Sequence, residues 1–459
     1  MKRLFGTDGV RGLAGEFPLD GETVRRLGYA LGEMLGGPQR DGAASRVLIG
    51  RDTRESGPLI EASLSGGLKA ARAHPCSIGV VSTPALAYLT REGGFAAGVM
   101  ISASHNPYRD NGIKVLGPDG MKMPDSKELT LERMVLDRPA HDIPELPLRE
   151  AVAPLLESPP DGLLDGYRRH LVAACGGVRA LAGLSVVLDC AHGGASGIAP
   201  RIFESLGARV RSIGCEPTGR NINERCGALH LERLCEEVLR TGADIGLAFD
   251  GDADRCLAVD RTGRPLDGDF ILYLQARRMQ RAGRLRGDAV VATVMSNLWL
   301  ERGLAEEGIR LIRAPVGDKY VLERMLEENA SLGGEQSGHI IFLDHFPTGD
   351  GVLTGLLLAS AVKTEGLDLA AIASGIRKYP QILLNVRVRE KPILEHHETI
   401  GPAIRRLEQR LAGEGRVLVR YSGTEPLARV MIEGADEETV RSAAQQLAGL
   451  IRREIGADG

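Results

Sequence analysis

Short apolar runs recur along the chain, and most close on a polar loop rich in glycine, serine or aspartate. Arg46-Val47-Leu48-Ile49-Gly50 reads as a strand, followed by the polar loop Arg51-Asp52-Thr53-Arg54. Residues from Pro58 to Ala71 have helical spacing, and Val80-Val81 and Val99-Met100-Ile101 supply two further strand cores. Val186-Val187-Leu188-Asp189 runs into the loop His192-Gly193-Gly194, with a helix-like stretch from Ala199 to Leu206. Ile245 to Phe249, Cys256 to Asp260 and Ala289 to Met295 continue the pattern. Such alternation predicts layered α/β units. Each unit opens on a strand that ends in an Asp- or Ser-bearing loop, which hints at a repeated module. The rhythm changes near Tyr379-Pro380. From there the order is strand (Leu383 to Val388), helix (Glu395 to Leu411), two strands (Val417 to Arg420, Arg429 to Glu433) and a last helix. Asp436 is a good N-cap for that helix, and Val440, Ala443, Ala444, Leu447 and Ile451 share one face. A run of prolines (144, 147, 154, 159 and 160) places the first domain boundary within residues 139–160.

A length of 459 residues suggests about three domains, with four in range. Apolar content of 43% and charged content of 26% are ordinary for a globular protein. A net charge of −4 gives no global attraction to nucleic acid or anionic membrane. Any functional basic groups must therefore be local. There is no apolar signal core and no membrane-length apolar run. The seven cysteines (76, 175, 190, 215, 226, 235 and 256) contain no C-x-x-C pair and read as reduced cytosolic thiols.

Four motifs carry the chemistry. In Ile101 to Lys114, the proline at 107 disfavours helix at Asn106, so Ser104 stands on a turn at the end of a buried strand. That is a suitable place for a nucleophile or phosphate carrier, although a lone serine turn would more simply be a polar turn. Second, Asp250, Asp252 and Asp254 alternate with only Gly251 and Ala253 between them, directly after an apolar strand. Three such carboxylates repel one another unless a cation joins them, and all-oxygen ligands suit Mg²⁺. A calcium EF-hand is excluded, because Arg255 and Arg261 stand where that loop needs Gly and Glu. Third, Gly334-Glu335-Gln336-Ser337-Gly338-His339 offers groups that match sugar hydroxyls, weakly by itself. Fourth, Arg420-Tyr421-Ser422-Gly423-Thr424-Glu425-Pro426, with Arg429 beyond, forms a plausible phosphate cradle that is not a P-loop.

Taken in this order, the four motifs resemble the α-D-phosphohexomutase superfamily. The resemblance runs from Phe5-Gly6-Thr7-Asp8-Gly9-Val10-Arg11-Gly12 to Arg429, nearly the whole chain. That opening, Ile101-Ser102-Ala103-Ser104-His105-Asn106-Pro107 and the Tyr421 to Gly434 segment are most similar to the branch acting on glucosamine phosphate. Ala253 departs slightly from the family, many members of which carry glycine there. The resemblance implies three similar α/β mixed-sheet domains followed by a smaller α+β C-terminal domain around a central active-site cleft. Their expected extents are 1–150 (serine loop), 161–254 (metal loop), 255–368 (sugar loop) and 379–459 (phosphate loop).

The implied activity interconverts glucosamine 6-phosphate and glucosamine 1-phosphate through a phosphoserine enzyme and a bisphosphorylated sugar, feeding amino-sugar nucleotide and cell-wall precursor synthesis. Ser104 would carry the phosphate, and one Mg²⁺ would sit on Asp250, Asp252, Asp254 and a phosphoserine oxygen. Lys114 would be the leading acid or base, and as a base it would need burial or nearby cations to lower its pKa. Arg11 and His339 match positions near the reacting groups, and His105 is expected to orient the loop. Arg255 either supports the same site or pairs with a neighbouring Asp. Glu335 and Ser337 would bind sugar hydroxyls. Arg420, Ser422, Gly423, Thr424 and Arg429 would bind the non-reacting phosphate. The expected setting is the cytoplasm, with a hexosamine phosphate as the partner, no nucleic acid or membrane, and a homodimer left open. Three alternatives remain: a glucose or mannose phosphate mutase of the same superfamily, a haloacid-dehalogenase-like phosphatase using Asp250, or a non-catalytic sugar-phosphate binder.

Overall fold

A computed structural model of the chain describes residues 4–6, 8–36, 44–138, 143, 163–411, 413–422 and 425–457. The proposed first boundary, apart from Ile143, therefore lies outside the described residues. Apolar runs become strands where the sequence places them. They form sheets of six, five, four and three strands.

The first three sheets share one construction. In the first, Arg46–Arg51 pairs in parallel with His74–Val80 and Ala97–Ile101, and Ala97–Ile101 then pairs antiparallel with Asp110–Leu116. In the second, Ser185–Asp189 lies parallel to Arg209–Ile213 and Ile245–Phe249, and Ile245–Phe249 turns back antiparallel into Cys256–Asp260. In the third, Ala289–Thr293 lies parallel to Leu332–Gly334, which turns back into Ile340–Phe342. Each sheet is thus a parallel core closed by a hairpin. The Ser104, Asp250 and Glu335 motifs are the three hairpin loops, at the carboxyl end of a parallel strand in each case. That is where open α/β sheets place ligands.

Helix signals also hold locally. Asp20, Ser82, Asp350 and Asp436 each accept a hydrogen bond from a backbone N–H in the first turn of the helix that follows. Each such cap contributes about 1 kcal/mol. Two boundaries differ from the sequence reading. The strand expected at Val80-Val81 is His74–Val80, and Val80 is 48% exposed at its end. Burial falls instead on Pro75, Cys76 and Ser77. The helix expected from Glu395 starts at Ile400, after a single 3₁₀ turn at Leu394–His396. Between them, His397 accepts from the amides of Thr399 and Ile400 through Nδ1. A histidine with no motif around it therefore serves as a cap.

The described chain divides into two compact units, Met1–Val294 with Ile312–Ala373, and Met295–Leu311 with Ser374–Gly459. In the second unit, Gln381–Arg387, Leu427–Gly434 and Gly415–Tyr421 form an antiparallel sheet. The last helix packs on it through the expected face of Val440, Ala443, Ala444, Leu447 and Ile451. The inclusion of residues 295–311 has a polar cause. The fully buried Glu433 carboxylate accepts from Leu298 N at 2.7 Å and pairs with Arg416 at 2.7 Å. Asn297 meanwhile exchanges two bonds with the Tyr379 backbone.

In the first unit, helices Gly21–Met34 and Gly57–Ala70 cross at glycines. A Cβ on Gly28 would lie 2.1 Å from Leu64 O, and one on Gly67 would lie 2.0 Å from Arg25 O. Both obstacles are backbone, so no rotamer change relieves them. Gly28→Ala is expected to destabilise the protein by about 1–3 kcal/mol through overpacking, read as a lower denaturant midpoint at unchanged m-value.

Candidate active site

The serine loop is held by a closed ring of bonds. Ser104 adopts φ +52°, a left-handed conformation that serine tolerates poorly. Its amide donates to Ser102 Oγ at 2.9 Å, Ser102 Oγ donates to Asp52 Oδ2 at 2.6 Å, and Arg54 Nε donates to the same oxygen at 2.9 Å. Arg54 is wholly buried. Its Nη2 donates to Ser104 O and Asn106 O at 3.0 and 2.8 Å, and its Nη1 donates to the carbonyls of Asp110 and Pro107. A flat guanidinium with five donors can serve this many acceptors at once. Burial raises the Asp52 carboxyl, against the opposing pull of Arg54 and Ser102.

So fixed, Ser104 Oγ donates to Asp250 Oδ2 at 2.6 Å and lies 3.3 Å from His105 Nδ1. Burial, followed by the charges of Arg255 and Arg11, lowers the His105 pKa to about 4, so this imidazole is neutral at neutral pH.

Asp250, Asp252 and Asp254 are all buried, and one oxygen of each lies within 4.8 Å of the others. Burial, reinforced by Asp254 and Asp252, pushes the Asp250 carboxyl well above the usual range. Asp252 Oδ1 and Asp254 Oδ1 are buried without a hydrogen-bond partner among the described residues. Unpartnered carboxylate oxygens in an all-oxygen cluster fit a hard divalent cation. Gly251 and Ala253 shape the loop. A Cβ on Gly251 would lie 2.5 Å from Ser104 O. Ala253 takes φ +57° at full burial, a conformation that glycine adopts without steric cost. Arg255 reaches Asp254 only at 3.9 Å, while its backbone N–H donates to Asp250 Oδ1 at 3.1 Å.

Cations enclose the triad. Lys114 Nζ lies 3.0 Å from Asp252 Oδ2, 3.3 Å from Asp8 Oδ2 and 3.5 Å from Asp254 Oδ2. Burial opposes its charge, yet Asp252, Asp8 and Asp254 together raise its pKa well above the ordinary lysine value. The lowered pKa that the sequence argument required is therefore absent here, and Lys114 stands as an ammonium ion. Thr83 Oγ1 donates to Asp252 Oδ2 at 2.6 Å. Asp8 also pairs with Arg11 and Lys122, and Lys122 pairs with Asp318. Arg11 Nη1 donates to Ala103 O at 3.4 Å. His339 closes the circuit, with Nδ1 at 3.6 Å from Asp254 and Nε2 at 3.8 Å from Asp318. Gly349 N–H donates to His339 Nε2 at 3.2 Å, so Nδ1 carries the ring proton that faces Asp254, and, against burial, Asp254 and Asp318 raise the pKa of the ring.

The sugar-motif loop is internally bonded. Ser337 Oγ donates to Glu335 Oε2 at 3.3 Å, and Glu335 Oε1 accepts from Gly317 N at 3.1 Å. In the C-terminal unit, Arg420 and Arg429 stand directly opposite on paired strands. Burial and the Arg429 charge lower the Arg420 pKa. Like charges in register are unfavourable without an anion. Arg429 reaches Glu425 at 3.3 Å, and its buried Nε has no partner among the described residues. Ser422 is buried at the hairpin end. Gly423 and Thr424 lie outside the described residues.

Comparisons with known proteins agree with this arrangement. Phosphoglucomutase/phosphomannomutase domain models match in order: alpha/beta/alpha domain I over residues 2–140, domain II over 165–263, domain III over 267–379 and the C-terminal domain over 383–450. A phosphoglucosamine mutase of Solibacter usitatus is 49% identical over 99% of both chains, and one of Staphylococcus aureus is 44% identical over the full length of both. The chain belongs to the phosphoglucomutase/phosphomannomutase family. Solved structures share its fold. A Burkholderia thailandensis family protein superposes with TM-score 0.77 at 22% identity, covering 99% of this chain and 98% of the other. An Aspergillus fumigatus N-acetylphosphoglucosamine mutase, solved with GlcNAc-6P and magnesium, superposes with TM-score 0.67 at 19% identity, covering 99% and 96%.

In this family member, the residues singled out in the first three motifs, with Arg11 and Lys114, all lie in the first unit. Sequence reasoning missed Asp52, Arg54, Thr83, Lys122 and Asp318. Asp52 and Arg54 had a usable signal, since their loop also follows a strand. Nothing in the local sequence around Lys122 marks its pairing with residues 114 and 196 positions away. Arg54→Met would leave the buried Asp52 carboxylate without its charge partner, while Asn223 still serves Ser104 O and Asn106 O. The substitution is expected to destabilise the protein by about 3–5 kcal/mol, measured by urea unfolding.

Proposed function

We propose that this phosphohexomutase-family enzyme interconverts glucosamine 6-phosphate and glucosamine 1-phosphate in the bacterial cytoplasm. The observation that carries the reading is the Ser104 Oγ contact with Asp250 Oδ2 at 2.6 Å, at the edge of a buried carboxylate cluster. Phosphorylated Ser104 donates its phosphoryl group to the free hydroxyl of the sugar monophosphate. The bond from Ser104 Oγ to phosphorus breaks, the bond from the sugar oxygen to phosphorus forms, and the sugar's hydroxyl proton ends on Ser104 Oγ. In the dephosphorylated state that proton is the one donated to Asp250. The bisphosphorylated sugar then reorients and returns its other phosphoryl group to Ser104, with the same balance reversed.

Asp250, Asp252, Asp254 and a phosphoserine oxygen would hold Mg²⁺. When bound, the ion neutralises charge on the transferring phosphoryl group. Lys114, Arg11 and His339 place further positive charge or hydrogen-bond donors around the same carboxylates. His105 orients the serine hydroxyl as a neutral ring. Glu335 and Ser337 meet ring hydroxyls, and Arg420, Ser422 and Arg429, with Gly423 and Thr424, hold the phosphate that does not react. Among the described residues, no helix is long and apolar enough to cross a membrane.

A phosphatase reading with Asp250 as nucleophile is disfavoured by that residue's own partners. Both its oxygens are engaged, one by Ser104 Oγ and one by Arg255 N–H. Full-length relatives named phosphoglucosamine mutases support the glucosamine branch over glucose or mannose phosphate.

Two experiments test the proposal. Intact-mass measurement should find a fraction of purified protein one phosphoryl group heavier than the sequence. Ser104→Ala should remove both that species and nearly all turnover, with wild-type kcat/KM higher on glucosamine phosphate than on glucose phosphate. Phosphate mapped to Ser102, or a clear preference for glucose phosphate, would refute the respective assignment. Separately, chelator-treated enzyme should lose activity and regain it with Mg²⁺. Asp252→Asn should show little activity at any Mg²⁺ concentration that saturates wild type, and full activity of that variant without added metal contradicts the metal assignment.

A further inference from the structure

Asn223 belongs to none of the four motifs. It sits in the loop that follows strand Arg209–Ile213, in a sheet separate from that of the serine loop. Its Nδ2 donates to Ser104 O at 2.9 Å and to Asn106 O at 3.1 Å. Both acceptors are carbonyls, so the amide can face them only with its nitrogen. Arg54 Nη2 serves the same two carbonyls at 3.0 and 2.8 Å. Each carbonyl therefore takes one bond from its own domain and one from the next.

The Asn223 loop is itself anchored. Asn223 takes φ +60° and donates its backbone N–H to Ala191 O at 3.0 Å. Asp189 holds the two ends of this region, accepting from Ala191 N at 3.0 Å and Gly227 N at 2.9 Å. Glu55 accepts Arg220 at 2.6 Å, and Glu55 N–H donates to Gly219 O at 3.0 Å. The metal loop packs against the same amide, since a Cβ on Gly251 would lie 2.9 Å from Asn223 Nδ2 and 2.5 Å from Ser104 O. Asn223 thus touches both the backbone of the serine loop and the glycine between the first two aspartates.

We propose that Asn223 is a positioning residue for phosphoryl transfer, its side-chain amide fixing the register of the Ser104 backbone against the Asp250–Asp254 loop. It touches no reacting atom in this role. The inference rests on the phosphoserine reading given above. Arg54, with Ser102 and Asp52, fixes the serine loop within its own domain. Asn223 adds the link to the neighbouring domain that carries the carboxylates, which matters because small displacements of reacting groups are costly in rate.

The test uses Asn223→Gly and Asn223→Asp in the full chain, both compatible with a left-handed backbone. Asn223→Gly removes the side chain with its amide and leaves the left-handed backbone accessible. Its kcat should fall roughly tenfold with KM within about twofold of wild type, as misplacement of a reacting group predicts. Hydrogen exchange at the amides of residues 104–106 should speed up. Asn223→Asp turns a carboxylate toward two carbonyl oxygens, and its kcat should fall below that of Asn223→Gly. Wild-type kcat in Asn223→Gly overturns the inference, even if the melting temperature drops, because that marks a staple between domains. A loss carried wholly in KM overturns it too. If wild-type protein fails to turn over glucosamine phosphates, the substrate reading falls instead. The exchange measurement then decides, with faster exchange supporting the positioning role and unchanged exchange overturning it.

Discussion

The structure is organised by mutual repulsion among three buried carboxylates. Asp250, Asp252 and Asp254 sit on one hairpin loop with their oxygens within 4.8 Å of each other, out of contact with bulk water. Such a cluster is stable only with positive charge or protons supplied to it. The surroundings supply donors from three α/β layers: strand residue Lys114 and helix residue Thr83 from the first, the Arg255 backbone N–H from the second, and His339 from the third. Asp8, Lys122 and Asp318 extend the network outward as alternating charges. The hydroxyl of Ser104 joins this cluster as a donor to Asp250 Oδ2.

Placing four chemical motifs on four hairpin loops lets the fold separate scaffold from function. The strands on either side of the first three loops are mostly buried, so each of those loops is held at both ends by a rigid ladder. The loops can then carry residues that oppose stability, including two non-glycine residues in left-handed conformation, Ser104 and Ala253. Strain of this kind persists only where surrounding bonds over-determine it. The ring through Ser102, Asp52 and Arg54 does so for Ser104.

The apolar runs, and therefore the strands and the loops they end on, were legible in the sequence because strand burial leaves a local pattern. The Asp436 cap and the apolar face of the last helix were legible for the same reason. Element edges were not. Val80 is as apolar as its neighbours but lies where the sheet meets solvent, and the Leu394–His396 turn has the composition of a helix start. The candidate site divided along a similar line. Asp250, Asp252, Asp254 and Ser104 announce themselves by spacing. The partners that set their charge are far away in the chain, so the raised pKa of Lys114 and the bridging role of Lys122 follow only from the three-dimensional arrangement. Arg54 was visible as part of a polar strand-end loop, but its burial was not.

The central claim is that one phosphoryl group travels from Ser104 to the sugar and is replaced from the sugar. A rapid-quench single turnover follows this directly, using enzyme carrying radiolabelled phosphate on Ser104 mixed with unlabelled glucosamine 6-phosphate. The account predicts that label leaves the protein and appears first on a bisphosphorylated sugar, then partitions between sugar monophosphate and enzyme, with negligible inorganic phosphate. Label that stays on the protein during turnover, or that leaves directly as inorganic phosphate, would contradict it.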